Sequence, residues 1–157
     1  MMTVVKGLGI GLIGALAVGL IALSVFVRLA ASDPAVWNVP VASAEPPKPG
    51  PCVRQIVKVP KGARATCLLP GAPDALLTKL DAIALAYPRT TRLAGSAVDG
   101  RITWVSRSLI MGFPDYITAE AVQTPDGTRL DILSRQRYGR GDQGVNAARL
   151  TKWLAQL

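Results

Sequence analysis

Between Lys6 and Arg28 the chain carries no charge. About 20 apolar residues carry a helix across a bilayer, and residues 7–27 meet that length. The expectation is a transmembrane anchor over residues 7–29, behind a short cytoplasmic head at residues 1–6. A cleaved signal peptide fits less well, because its apolar region usually runs for only about 7–15 residues. The cleavage-like Ala42-Ser43-Ala44 lies far beyond the apolar run, and Leu29 is too large for the small position of Leu29-Ala30-Ala31. Gly7, Gly11, Ala15 and Gly19 recur every fourth residue. That spacing makes a smooth ridge suited to close helix approach, although glycine and alanine are also simply common in membrane spans.

The rest of the chain is basic. The formal charge is +8, and all ten acids lie beyond residue 32. Many of the cations are arginine, the residue that grips phosphate or carboxylate with a planar fork. A tethered basic domain points to an anionic lipid or an acidic protein partner, while a plain solvated basic face accounts for the same charge. Aromatic residues make up 5% of the chain, with no stacking platform among the cations, so nucleic acid is not expected. There is no histidine, which removes Ser-His-Asp and Cys-His catalysis and every zinc site built on imidazole. Two cysteines are too few for a metal cage, and no cofactor or metal is expected.

Residues 30–51 are rich in proline and read as a semi-extended linker holding the domain off the membrane. Trp37 is the exception there, suited either to the headgroup level or to docking on the domain. The folded domain is expected at residues 52–157. Cys52 and Cys67 are expected to pair, closing a loop that stabilises by about 3 kcal/mol in the chain-entropy model. Such a pair belongs to an oxidising compartment, the alternative being two free thiols in a reducing cytoplasm. The expected location is therefore a bacterial inner membrane, single-pass, with the C-terminal domain in the periplasm.

Within the domain, Val53, Ile56, Val57 and Val59 suggest an extended segment. Pro73 and Asp74 suit the first turn of a helix, and Leu76, Leu77, Leu80, Ile83, Ala84 and Tyr87 repeat with helical spacing until Pro88. Four strands follow, over 89–95, 101–111, 116–123 and 128–138. The second should place Ile102 and Trp104 on one face and Val105, Leu109 and Met111 on the other. Thr124-Pro125-Asp126-Gly127 is a turn. A closing helix over 143–157 presents Leu150, Trp153, Leu154 and Leu157, with Asp142 as its cap. The expected class is α+β: an antiparallel meander of about four strands flanked by an N-terminal and a C-terminal helix, preceded by one transmembrane helix.

Arg107-Ser108, Gly112-Phe113-Pro114-Asp115, Ser134-Arg135, Gly139 and Asp142-x-Gly144-Val145-Asn146-x-x-Arg149 occur in this order. The series resembles domain-of-unknown-function family 1499, an uncharacterised bacterial and plastid family, over roughly residues 50–157. Ser32-Asp33-Pro34 followed by Trp37 resembles the membrane-proximal segment of its proteobacterial members. The resemblance implies no activity and supplies no catalytic residues.

The candidate site is the corner at 135–149: Arg135, Arg137, Arg140, Asn146 and Arg149 around a glycine-rich turn. Glycine lets backbone approach a ligand, and free amides at a helix start favour an anion. The same arginines also fit a structural role, pairing with Asp131, Asp115 and Asp142. Ser106, Ser108 and Ser134 with Asp115 and Asp131 lack a base to activate a hydroxyl. The functional expectation is a membrane-anchored accessory or binding protein recognising an anionic lipid headgroup or acidic partner. The alternative is an enzyme or transport factor acting on a lipid or envelope component, and a deep apolar cavity would favour it.

Overall fold

A computed structural model describes residues 2–48 and 50–157, with side chains from Gly11 onward. Met1 of the head, Gly7 of the ridge as a packing surface, and Pro49 lie outside the described residues. The first helix, α1, spans Met2–Leu29. Its stretch Gly11–Leu29 is long and apolar enough to cross a membrane, and nearly all of it is exposed. Among the described positions of the ridge, a side chain added at Gly11 or Gly19 would meet no other atom within 4 Å.

The domain is α+β, as expected, but its antiparallel sheet has six strands rather than about four. The meander is present as β3 (Thr90–Ser96), β4 (Arg101–Arg107), β5 (Pro114–Thr124) and β6 (Gly127–Gln136). Beside β6 lies an additional hairpin, β1 (Val57–Val59) and β2 (Gly62–Leu69), giving the order β1-β2-β6-β5-β4-β3. The extended segment expected near residue 53 is divided, with Cys52–Gln55 forming a 3-10 turn ahead of β1. β2 escapes a hydropathy reading because its inward residues are Ala63, Ala65 and Cys67, all fully buried. Alanine carries little strand preference of its own. Cys67 forms a disulfide with Cys52, their Cα atoms 5.4 Å apart, tying the turn to this strand.

β4 is also shorter than expected. It ends at Arg107, and Leu109 and Met111 belong to a tight loop rather than to a strand face. Gly112 is responsible: its φ of +74° is favourable only to glycine, and its amide returns to the Ser108 carbonyl at 3.2 Å.

Helices α3 (Pro73–Ala86) and α4 (Val145–Leu154) cover one face of the sheet. Ile102, Trp104, Ile117, Ala119, Leu130 and Ile132 meet Leu77, Leu80, Leu150 and Trp153 there. Trp153 lies edge-on to Trp104 and to Tyr87, at 5.7 and 5.9 Å between centroids. The indole N–H of Trp104 donates to Asp81 at 2.8 Å, and Arg92 pairs with the same carboxylate. A buried donor left unpaired costs about 1–3 kcal/mol, and Asp81 of α3 spares Trp104 that cost.

The opposite face is covered by the segment read as a linker. It contains a short helix, α2 (Pro34–Trp37), capped by Asp33, whose side chain accepts from the Ala35 amide. Trp37 docks on the domain, stacked on Tyr116 of β5. Beyond it the chain runs across β5 and β6. The amides of Val41 and Ala42 donate to Glu120, and that of Ser43 to Asp131. In return Arg101, Arg64 and Arg129 donate to the carbonyls of Asn38, Val41 and Ser43. Thr103, Thr118 and Asp131 on this face are buried as a result. The segment is a strap laid over the sheet.

Candidate functional site

Where β4 ends, β5 begins and β6 gives way to the turn before α4, a cleft of about 480 Å³ opens. Arg89, Arg107, Phe113, Asp115, Tyr138 and Arg149 are among the residues lining it. They come from separate stretches of chain, which antiparallel pairing gathers at one end of the sheet: Ser106 lies opposite Asp115, and Asp115 opposite Gln136.

Three arginines reach this space from different elements. Arg149, 5% exposed, projects from α4 and pairs with Asp115 at 2.8 Å. It also donates to Asn146 Oδ1 at 2.6 Å and to the Ser134 hydroxyl at 3.1 Å. Ser134 in turn donates to Asn146 at 2.5 Å. Arg107 donates to the Gly112 carbonyl at 3.0 Å and, at 3.4 Å, to the carbonyl of Val27 in the last turn of α1. Arg89 uses its Nε on the Arg107 carbonyl. Its terminal amino groups have no hydrogen-bond partner among the described residues.

Arg89 and Gln143, both at the rim, hold the left-handed backbone at φ 56° and 50°. Non-glycine residues adopt this conformation at a cost, and such positions collect at functional sites. Two buried donors in the cleft wall, Arg149 Nε and Gln136 Nε2, have no partner. Burial of this kind without a hydrogen bond is uncommon in finished protein interiors.

Two carboxyls in the wall are shifted in opposite directions. Burial pushes that of Asp115 above the ordinary carboxylate range, and the opposing pull of Arg149 does not fully cancel it. Burial also acts upward on Asp142, but hydrogen bonds from the amides of Asn146 and Gly144 outweigh it and hold the group below that range. α4 itself begins at Val145, and Gly144 is its cap at φ +83°. The expected start at 143 is thus two residues early, and Asp142 serves the helix from further out, accepting from Asn146 at 3.0 Å. The amides expected to receive an external anion are already engaged by this carboxylate.

The five residues of the expected corner do not converge. β6 ends at Gln136, short of the expected 138, so Arg137 lies one residue past it; its side chain still turns to the same side as Arg135, opposite Leu130 and Ile132, and that side is the strap side. Arg135 donates to the Trp37 carbonyl at 2.8 Å and lies over its ring at 5.1 Å. Arg137 donates to the Ala31 carbonyl at 2.7 Å. Asn146 and Arg149 lie on the helix side, within the Ser134–Asp115 network. Arg140 is exposed in the turn and forms no part of the cleft lining. Of the serines and acids weighed for hydrolysis, Ser106, Ser108 and Asp115 line the cleft, whereas Asp131 lies under the strap. No group of three or more metal-ligating side chains occurs among the described residues.

Sequence reasoning passed over Arg89, whose only signal was its place after the Pro88 helix stop. Arg107 and Phe113 stand out in the sequence only as parts of a motif, whereas Asp115 is also an expected arginine partner and pairs with Arg149; all three share this cleft.

An α+β domain with an arginine-bearing cleft beside the foot of an apolar helix is the class these features define. The chain belongs to the family described as Protein of unknown function (DUF1499), whose sequence model matches residues 43–157. No curated protein and no solved structure matches it.

Proposed function

We propose that this is a single-pass binding protein of a bacterial inner membrane, with its C-terminal domain in the periplasm, that holds the anionic headgroup of a lipid in the cleft. The observation that carries this reading is the double role of Arg107. One guanidinium nitrogen bonds both the loop at the cleft wall and the carbonyl of Val27. The cleft therefore adjoins the point where the apolar helix ends, at the level where headgroup phosphates lie. Arg89 supplies free donors at that rim, and the unpartnered Arg149 Nε supplies one in the wall. The disulfide between Cys52 and Cys67 supports an oxidising compartment. The filled core beneath both helices, with Trp104 and Trp153 fully buried, favours binding over enclosure of a whole acyl chain.

The test is titration of the full chain, in neutral detergent, with phosphatidylglycerol and with phosphatidylcholine. Saturable binding of the first and not the second is expected. A charge-assisted hydrogen bond is worth about 1.5–3 kcal/mol, so Arg89→Gln should weaken binding about tenfold or more. Equal binding of both lipids, or an unaffected Arg89→Gln variant, would sink the proposal. Conversion of the lipid during the same incubation would instead mark an enzyme acting on it.

A further inference from the structure

We infer that the β4–β5 loop, residues 108–113, is a second membrane contact: an apolar finger that enters the same leaflet in which α1 ends. This rests on the anchoring proposed above and concerns the tip of the loop, Leu109 to Met111, which lies outside the cleft lining, although Ser108 and Phe113 at its base belong to that lining.

The loop does not stand above the helix; it lies alongside it. Arg28 donates to the carbonyls of Ile110 at 2.8 Å and Leu109 at 3.4 Å, and Ser24 donates to that of Met111 at 3.3 Å. Ser24 precedes Arg28 by four residues, which on a helix is about 6 Å deeper into the span. Val27, between them, is 1% exposed because the domain covers it. The approach is close. A side chain at Gly112 would come within 2.7 Å of Arg28 Cγ.

The composition of the loop suits hydrocarbon. Ser108 to Pro114 contains no charge, and at its tip Leu109 and Ile110 are 69% and 80% exposed. Phe26 and Leu29, at the same end of α1 but on its other side, are exposed as well. Backbone polar groups entering lipid must be satisfied within the protein. Here the three carbonyls at the tip accept from Ser24 and Arg28. The Ser108 amide donates to the Phe113 carbonyl, the Gly112 amide to Ser108, and the Phe113 amide to the Ser108 hydroxyl. The amides of Leu109, Ile110 and Met111 have no partner among the described residues, which sets the tip at the wet headgroup boundary of the leaflet and not in its hydrocarbon centre. Val98, 90% exposed in the turn at the other end of β4, has no such apolar surroundings, with Asp99 beside it.

The test uses the full chain in vesicles of phosphatidylcholine brominated on its acyl chains near the headgroup. A polarity-sensitive dye is attached to a single cysteine introduced by Ile110→Cys, the native pair being held in its disulfide. Parallel samples carry the dye through Leu20→Cys, within the helix, or through Val98→Cys. All three side chains are exposed, so the fold should tolerate them, and a retained melting temperature checks this. The expected result is loss of most fluorescence, with a blue-shifted emission, at 110 and 20 but not at 98. If 20 is quenched while 110 behaves like 98, the finger is wrong and the anchor stands. If 20 is not quenched, the anchoring proposal fails and the finger fails with it.

Discussion

The indole of Trp37 lies flat on the phenol ring of Tyr116, with centroids 3.7 Å apart and planes within 8°. Above that pair is the Arg135 guanidinium, and the Tyr116 hydroxyl is shared by Ser32 at 2.7 Å and Arg137 at 3.4 Å. Every partner from the N-terminal side of this cluster belongs to the strap. Arg135 in β6 and Arg137 just past its end thus hold part of their own chain.

Removing the ring should loosen that hold. Aromatic pairs contribute about 0.5–1.5 kcal/mol beyond area burial, and truncating a well-packed tryptophan costs about 3–5 kcal/mol. Trp37 is half-buried, so Trp37→Ala is expected to cost about 2 kcal/mol, between these limits. Chemical denaturation of the full chain measures the loss. Limited proteolysis should show faster cutting between residues 38 and 48 than elsewhere, and an unchanged cutting pattern would mean that the strap is held without the stack.

Arg149 tests the architecture of the cleft wall. Breaking a buried ion pair from one side costs about 3–5 kcal/mol, because the remaining charge loses its partner. Arg149→Met should fall in that range, and adding Asp115→Asn should recover part of it, since the stranded carboxylate is then gone. A double variant no more stable than Arg149→Met alone would show that the pair is not coupled as described.

The two shifted carboxyls give opposite dependences on pH. The folded-state value of Asp142 is lowered, so its contribution is present above the unfolded value and is lost as pH falls through the folded one. That of Asp115 is raised, so the folded state binds the proton more tightly, and its contribution is lost as pH rises through the folded value. Denaturation midpoints across the acid range should therefore show that Asp142→Asn loses less stability on acidification than the parent chain. Asp115→Asn should lose less on the return toward neutral pH. Identical profiles for parent and variants would contradict the assigned directions.

Much of the fold was legible because burial leaves a periodic trace. The apolar repeat from Leu76 to Tyr87 matches α3, and the turn at 124–127 joins β5 and β6 as expected. β2 left no such trace, since its buried face is alanine and cysteine. The strap was illegible for a different reason. Several of its ties run through backbone carbonyls and amides of residues such as Asn38, Val41 and Ser43, which any sequence could offer. Half of the site was legible in the same sense. Alternation put Arg135 and Arg137 on one side, which holds although β6 stops at Gln136, but no pattern in residues 134–149 says that the strap fills that side. The cleft needed Arg89 and Arg107 brought to Asp115 and Arg149, and only the pairing of β4, β5 and β6 brings them there.

A strap consumed in covering the sheet has no slack. Under the proposed anchoring, the domain is not a ball on a leash sweeping a volume of periplasm. It rides on the membrane like a skate, bound at Arg28 and Arg107 on one side and by Trp37 on the other. Its search for a ligand is then two-dimensional. A molecule lying in the same leaflet is met by lateral diffusion at high effective concentration, while one dissolved in the bulk gains nothing from the tether.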